Sequence, residues 1–400
     1  MAVALEPARV PHVPPGRVYD FDFAQDPLLH PEPHEGLKKL RDAAPAVFYT
    51  PRYGGHWVVQ SYDAIFQVTQ DPETFSSRMF DHPPMLPITA DPPEHHDYRY
   101  ILLRPFSPKQ VNAMLPMIRS LTLELIDKVA DKGSCEFASA VAEPLPVLIF
   151  MRMLGMPTEY MSDIRRLIIA SLLEGDADKR FAIWQEQLDT FLNPLIAARM
   201  QKRETDMLSQ ILDSRIGDRE PTLDEVQRYM LLLTNAGLDT VTNAISFTFL
   251  HLARDLPLQQ RVRSDPQLVP ALVEEMLRRY AVSSVLRRVT RDTVLDGAQL
   301  QAGDKVHVLL PAGNLDPAVF DSPDEIVLGR KVPAVTFGTG IHRCLGSHLA
   351  RLEMRNLLVE WLARIPTFTI DEGGSPEMHA GMVYTVDSLP LRWTTEAGHA

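Results

Sequence analysis

The feature that most constrains the fold is a long apolar run bounded by clear helix signals. Thr222-Leu223-Asp224-Glu225 reads as a capping box, in which the threonine hydroxyl and the glutamate three residues on satisfy orphan backbone N–H groups. From Met230 to Arg254 apolar residues then occupy nearly every helical face. A helix from Thr222 to Arg254 would extend roughly 48 Å at about 1.5 Å per residue. Apolar on all sides, it has to run through the core of a large protein. Its centre is unusual: Gly237 weakens the ladder by about 1 kcal/mol, and Asp239-Thr240 puts a carboxyl and a hydroxyl in an apolar setting that demands a reason. Two readings stay open from these residues alone. Either the helix stops at Gly237 and Asp239 caps a second one, or a continuous helix carries a distorted turn with room for a small ligand beside an acid and an alcohol.

The rest of the chain supplies material to surround such a helix. Helical periodicity is strong in Lys109 to Lys132, Glu159 to Leu173, Phe181 to Lys202 and Leu268 to Tyr280. Strand signals are fewer: His56 to Gln60, a hairpin turning at Asp296-Gly297 after Thr293 to Leu295, and Lys305 to Leu310. The expectation is a mainly α protein with small β-sheets. No linker, charge block or internal repeat marks a boundary, so residues 1–400 read as a single domain, with 1–16 an extended or poorly ordered arm. The formal charge of −12 argues against wholesale binding to nucleic acid or anionic lipid and leaves room only for a local basic patch. No run reaches the roughly 18 apolar residues that span a bilayer, and Met1 to Arg17 lacks the pattern of a signal peptide. Two cysteines in 400 residues exclude a disulfide framework and fit a reducing, cytoplasmic setting.

One cysteine stands in an informative place. Phe337-Gly338-Thr339-Gly340-Ile341-His342-Arg343-Cys344-Leu345-Gly346 precedes an apolar helix expected from Ser347 to Arg364, before Pro366. At a helix N-terminus, backbone N–H groups and the helix dipole favour thiolate over thiol, and the glycines let the backbone press against something flat. A solitary cysteine is more often a buried, inert hydrophobe, the reading that suits Cys135 in Gly133 to Phe137. A phosphate-binding loop would need lysine followed by serine or threonine, where this chain has Arg343-Cys344. Residues two apart on a tight loop rarely face each other, so a hydrolase built on Cys344 and His342 is poorly supported.

The run Phe-Gly-x-Gly-x-His-x-Cys-x-Gly resembles the haem-ligand loop of the cytochrome P450 family. Ala236-Gly237-Leu238-Asp239-Thr240 is similar to that family's oxygen-activation segment, and Glu275-Met276-Leu277-Arg278 fits its Glu-x-x-Arg signature, in the same order. Similarity to the bacterial camphor hydroxylase group extends over nearly the whole chain, including Asp20 to Phe23, Gly54 to Trp57 and Asp91 to Glu94. The resemblance implies the cytochrome P450 fold, with haem between a long distal helix and the helix after the cysteine loop. It implies a haem b whose iron is bound by Cys344, the residue assigned to the metal. His342, Arg99 and Arg287 are implied as propionate partners, Phe337 as a shield of the thiolate, and Gly338 as a haem contact. Each basic residue taken alone would more often be a solvated surface charge.

Other implications concern catalysis, stability and partners. Asp239 and Thr240 are implied to order the delivery of protons for O2 chemistry. Glu275 and Arg278, which by spacing alone read as a surface pair worth a few tenths of a kcal/mol, are implied as a buried ion pair joined by Arg330. No reductase is fused to the chain, so electrons are expected from a two-iron two-sulfur ferredoxin and a flavin ferredoxin reductase drawing on NADH. Arg99, Lys331, Arg343 and Arg351 are candidates for the patch that meets the ferredoxin. The activity expected is insertion of one oxygen atom from O2 into a C–H bond, with a peroxide-driven enzyme and a non-catalytic haem sensor as rivals. The pocket is expected to include Met85, Leu86, Leu232, Asn235, Ala236, Met382 and Val383. Arg78 to Pro87 lacks the tyrosine with which the camphor hydroxylases hold their ketone, so camphor itself is doubtful. Asn235, one turn before Asp239, either bonds its own helix or offers its amide to a carbonyl or ether oxygen. The substrate expected is a small, mostly apolar terpenoid or norisoprenoid with at most one oxygen acceptor, and the protein is expected to be a monomer.

Overall fold

The computed structural model describes residues 12–79, 85–173, 177–237 and 239–395, with only the backbone of 172, 173 and 177. Among the described residues helices dominate, and four small sheets accompany them. The chain folds as two compact units, one formed by Met1–Met79, Glu275–Arg343 and Glu377–Asp387, the other by Phe80–Glu274, Cys344–Pro376 and Ser388–Ala400.

The first unit is built on a five-stranded sheet in the order Val47–Thr50, His56–Val59, Lys305–Val308, Val285–Val289, Phe75–Ser76. The pairing of His56–Val59 with Lys305–Val308 is parallel, setting Trp57 opposite Val306, and the other pairings are antiparallel. β-Branched and aromatic residues fill it, as a sheet covered by helices requires. Trp57, Val59, Val289, Val306 and Val308 pack with Ile65 and Val68 of the Tyr62–Gln70 helix in one buried cluster. The expected hairpin is present. Thr293–Leu295 pairs with Ala298–Leu300, and Asp296 (φ 49°) and Gly297 (φ 72°) take the left-handed conformations of a tight hairpin turn. The strand expected over Lys305 to Leu310 ends at Val308, because Pro311 has no N–H for a ladder and Leu310–Gly313 turns into a short helix. Of the N-terminal arm, residues 1–11 lie outside the described residues. His12 bonds Asp304 at 2.9 Å, and Pro15–Arg17 forms a single 3-10 turn whose Arg17 reaches the Val47 carbonyl.

In the second unit, proline sets the breaks in two helices that sequence periodicity drew as continuous. Lys109 to Lys132 is divided at Met114 into Pro108–Ala113 and Leu115–Asp127, with Pro116 in the first turn of the second. Phe181 to Lys202 becomes Ala177–Gln187, a π-helical turn Leu188–Leu192 and Asn193–Gln201. Pro194 cannot donate to the ladder, and the wider turn absorbs the missing bond. Ser347–Arg364 is one helix as expected, packed on Leu115–Asp127 and Thr240–Arg254. Phe137, Phe249, Trp361 and Phe368 form the aromatic centre of this core, with ring centroids 4.2 Å apart for Phe137 and Phe249 and 5.0 Å for Phe137 and Trp361. A three-stranded antiparallel sheet, Ser134–Glu136, Pro390–Trp393 and Phe368–Ile370, holds Cys135 opposite Leu391. Among the described residues, no helix is long and apolar enough to cross a membrane.

Candidate active site

The long central helix is made in two pieces. Leu223–Ala236 starts at the capping box, with Thr222 Oγ1 accepting from Glu225 N at 3.2 Å and Glu225 Oε2 accepting from Thr222 N at 2.8 Å. Thr240–Arg254 follows. Gly237 (φ −86°, ψ −15°) and Asp239 (φ −100°, ψ −40°) keep near-helical backbone angles. The first helix nevertheless ends at Ala236 with Gly237 as its C-cap, and the Asp239 side chain does not cap the second piece. Its Oδ1 instead accepts from Asn243 Nδ2 at 3.0 Å, and the same nitrogen donates to the Asp239 carbonyl at 3.0 Å. A packing reason for glycine here is visible: a Cβ on Gly237 would lie 2.7 Å from the Phe150 ring on the Pro144–Leu154 helix. Leu238 lies outside the described residues.

At this interruption the exposed Ala236 stands beside polar side chains. Tyr229 to Thr234 are buried, Leu232 included, whereas Ala236 is exposed and Asn235, Gly237, Asp239 and Thr240 are half-buried. Thr240 Oγ1 lies 3.5 Å from the Ala236 carbonyl, at the outer limit of a hydrogen bond, so its hydroxyl is held only weakly. Asn235 answers the question its sequence position raised. Its Nδ2 donates to Leu231 O at 2.8 Å and to Gln187 Oε1 at 3.2 Å, which commits both hydrogens inside the protein. The amide N–H expected to hold a carbonyl or ether oxygen is therefore already occupied, because a helical carbonyl and a buried glutamine compete for it.

The cysteine loop is shaped by its glycines. Gly338 (φ 65°) and Gly340 (φ 68°) are left-handed, and a Cβ on Gly340 would meet the Thr69 carbonyl at 2.2 Å, so no other residue fits there. Thr339 Oγ1 bonds Thr69 Oγ1 at 2.6 Å, and Gly338 N donates to Val335 O at 2.8 Å. Nothing stands within 4 Å of a Cβ on Gly338, which leaves that face of the loop open. Phe337 and His342 are half-buried. Cys344 is exposed, and Gly346, the N-cap of the Ser347–Arg364 helix, is so placed that its Cβ would lie 3.8 Å from the sulfur. Cys135 differs in kind: burial, and then Glu136, push its thiol up to about 12.

Glu275 and Arg278 form a buried bidentate pair on the Val269–Arg279 helix, with Nε–Oε2 at 2.9 Å and Nη2–Oε1 at 2.8 Å and side chains 3% and 2% exposed. Arg330 Nε and Val327 N also donate to Glu275 Oε1, at 2.8 and 2.9 Å. Arg278 further donates to the carbonyls of Asn314, Pro323 and Glu325. Burial raises the Glu275 pKa, but the hydrogen bonds from Arg278, Val327 and Arg330 outweigh it and hold the carboxyl below its ordinary value. The exposed pair that spacing alone suggested is thus a clamp on the segment from Asn314 to Arg330, because that segment folds over the helix face that carries both residues.

The remaining candidates sit on other elements of the two units. Arg287 is buried on its strand, donating to Leu286 O at 2.7 Å, and Arg99 is half-buried on the Glu94–Leu103 helix. Lys331 and Arg343 are exposed. Arg351 is bound by Glu274 through Nε at 2.6 Å and Nη2 at 2.8 Å, and Arg355 reaches the same carboxylate at 3.2 Å, so the two arginines share one acid and their cluster keeps a net positive charge. Leu86 is buried, and Met85, Met382 and Val383 are half-buried. Val383 bridges Ser283, and the Met382 carbonyl accepts from Ser284 N at 3.0 Å. Phe80 to Pro84, part of the stretch that lacks the tyrosine, lie outside the described residues. Sequence reasoning missed Gln187, which carries no motif, and Asn243, whose i,i+4 spacing from Asp239 was a usable signal. It also missed Glu353, whose carboxyl burial pushes up to about 8 on the cysteine-loop helix.

Comparison with known proteins agrees with this arrangement. The family model described as Cytochrome P450 matches residues 138–386. The chain is 34% identical over 399 residues to a protein described as probable cytochrome P450 127A1 from Sinorhizobium fredii (strain NBRC 101917 / NGR234), covering 96% of each. It is 31% identical to a steroid C26-monooxygenase of Mycolicibacterium smegmatis (strain ATCC 700084 / mc(2)155), covering 84% of this chain and 87% of that one. The crystal structure of CYP101J2 superposes with a TM-score of 0.88 at 34% identity, covering 97% of this chain and all of that chain. With the cysteine loop, the interrupted helix and the Glu275–Arg278 clamp in place along it, the chain belongs to the cytochrome P450 family and is a P450 monooxygenase that uses haem and O2.

Proposed function

We propose that this enzyme inserts one atom of O2 into a C–H bond of a small apolar terpenoid or norisoprenoid. Electrons would come singly from a two-iron two-sulfur ferredoxin and an NADH-dependent flavin reductase in the cytoplasm. The observation that carries the reading is the break between Ala236 and Thr240, where the exposed Ala236 adjoins a weakly held hydroxyl and an oriented carboxyl. The residues present fit a haem: Cys344 is exposed ahead of a helix N-terminus, and Gly338 leaves its face of the loop open. When bound there, haem supplies the binding and reductive cleavage of O2.

The chain's own residues supply the rest. Cys344, favoured as thiolate by the helix terminus, would hold the haem iron through an electron-rich sulfur. Phe337 would shield that sulfur, and Gly338 would let the loop backbone come close to the bound group. His342, Arg99 and Arg287 would pair with its carboxylates through charge-assisted bonds. Asp239, oriented by Asn243, passes protons from solvent to the Thr240 hydroxyl, which is free to turn because the Ala236 carbonyl binds it poorly. Met85, Leu86, Leu232 and Ala236, with Met382 and Val383, are the side chains we assign to contact with the apolar body. Arg99, Lys331, Arg343 and Arg351 are the cations we assign to recognition of an acidic ferredoxin.

The test is turnover of a terpenoid panel under 18O2 with NADH, ferredoxin and reductase. The expected product carries one 18O atom and accumulates in proportion to NADH consumed. Oxygenation that proceeds with hydrogen peroxide alone and never with NADH and ferredoxin would overturn the reading.

A further inference from the structure

The hydrogen-bond network behind the break fixes which atom of Asn235 is left for a ligand. Gln187, 1% exposed, ends the Ala177–Gln187 helix just before the π-helical turn. Its Nε2 lies 2.9 Å from Thr234 Oγ1, and that hydroxyl donates its only hydrogen to Met230 O at 2.8 Å. Thr234 can then only accept, so Gln187 must present its nitrogen to Thr234 and its oxygen to Asn235. Asn235 must answer with its nitrogen, the same atom that donates to Leu231 O. Each step permits one orientation, and the last leaves Asn235 Oδ1 outward. That oxygen accepts no hydrogen bond from the described residues and is not sealed from solvent.

Resting on the proposed monooxygenase reading, we infer that Asn235 Oδ1, aligned by Gln187, is the acceptor that selects a substrate bearing a hydroxyl group over the corresponding ketone or ether. A molecule whose reacting carbon lies beside Asp239 and Thr240 must cover the exposed Ala236, and Asn235 is one helical turn upstream, about 5–6 Å away between Cβ atoms. A hydroxyl there donates to Oδ1. A ketone or ether oxygen would set lone pairs against lone pairs, and the amide cannot rotate to help without breaking its bonds to Leu231 and Gln187. Gln187 touches no ligand and acts as a positioning residue.

The experiment titrates the haem-loaded protein with two matched pairs, menthol with menthone and cyclohexanol with cyclohexanone, and reads Kd from the Soret shift. The wild type should bind each alcohol at least tenfold more tightly than its ketone. Asn235→Leu should abolish the difference. Gln187→Leu, which conserves volume but frees the amide, should bring each ketone to within threefold of its alcohol while Asn235→Leu is insensitive to the same change. Equal or tighter binding of ketones by the wild type, or an alcohol preference that survives Asn235→Leu, would overturn the inference. If the small pair shows the preference but neither menthol nor menthone binds, the terpenoid reading fails and the acceptor role stands.

Discussion

Replacing Glu275 and Arg278 together, by Glu275→Leu with Arg278→Met, separates a simple ion pair from a clamp. Exchange of a buried pair for apolar residues of similar volume is often neutral or stabilising, because two desolvation costs disappear with one attraction. Here Arg278 also donates to the carbonyls of Asn314, Pro323 and Glu325, and Glu275 accepts from Val327 N and Arg330. The Glu325 carbonyl keeps a longer bond from Arg330, but at about 1–3 kcal/mol for each buried group left without a partner, the carbonyls of Asn314 and Pro323 alone cost the double variant roughly 2 kcal/mol or more. The single change Glu275→Ala strands the buried guanidinium and should cost about 3–5 kcal/mol. For a unit of about 160 residues, at roughly 2–4 °C per kcal/mol, the melting temperature of Glu275→Ala should fall by roughly 6–20 °C. The pH dependence supplies a second readout. Because folding depresses the Glu275 pKa, its contribution is complete above the ordinary carboxylate value and is lost as pH falls through the folded value. Glu275→Gln should therefore remove part of the acid sensitivity below that range. Thermal and urea unfolding, followed by circular dichroism between pH 3.5 and 7, measure both effects. A double variant within about 1 kcal/mol of the wild type would refute the clamp.

Other expectations follow from the same structure. Cys344→Ser should lose the red-shifted Soret band of the reduced carbon monoxide complex while Cys135→Ser keeps it; the reverse pattern would remove Cys344 as ligand. Thr240→Ala should retain substrate binding but release reducing equivalents as hydrogen peroxide, and Asp239→Asn should slow turnover, both read from NADH, peroxide and product together; unchanged coupling in Thr240→Ala would take the threonine out of the mechanism. Gly237→Ala should destabilise by about 1–3 kcal/mol through its clash with Phe150, and Phe150→Leu should recover part of that loss in a melting experiment. Burial, and then Arg279, push His34 down to about 3. The unfolded chain binds that proton near the ordinary histidine value, so the stability His34 contributes is complete above it and declines as pH falls toward about 3. His34→Gln should flatten the stability profile between pH 6 and 4 by about 1.4 kcal/mol per unit, and an unchanged slope would show that His34 is not the group.

What the sequence determined by itself was local. The capping box at Thr222, the Asp296-Gly297 hairpin and the Ser347–Arg364 helix were legible because each depends on neighbouring residues alone. The cysteine loop was legible as a motif because few residues other than glycine can adopt the angles at Gly338 and Gly340. What tertiary structure decided were the questions in which distant segments compete for one atom or one space. That position 237 has room only for glycine depends on Phe150, some ninety residues earlier, whose ring would meet a Cβ there at 2.7 Å. Whether Glu275 and Arg278 were a surface pair or a clamp depended on the carbonyls of Asn314, Pro323 and Glu325, which no i,i+3 spacing reveals. That Arg351 and Arg355 share the carboxylate of Glu274, nearly eighty residues before them in the chain, was likewise a matter of packing. The same holds for Asn235: its spacing from Asp239 placed it at the break, but only Gln187 and the Thr234 hydroxyl decide that it faces a ligand with an oxygen. A hydrogen bond has a direction as well as a place, and the direction is set by the whole network rather than by any one residue.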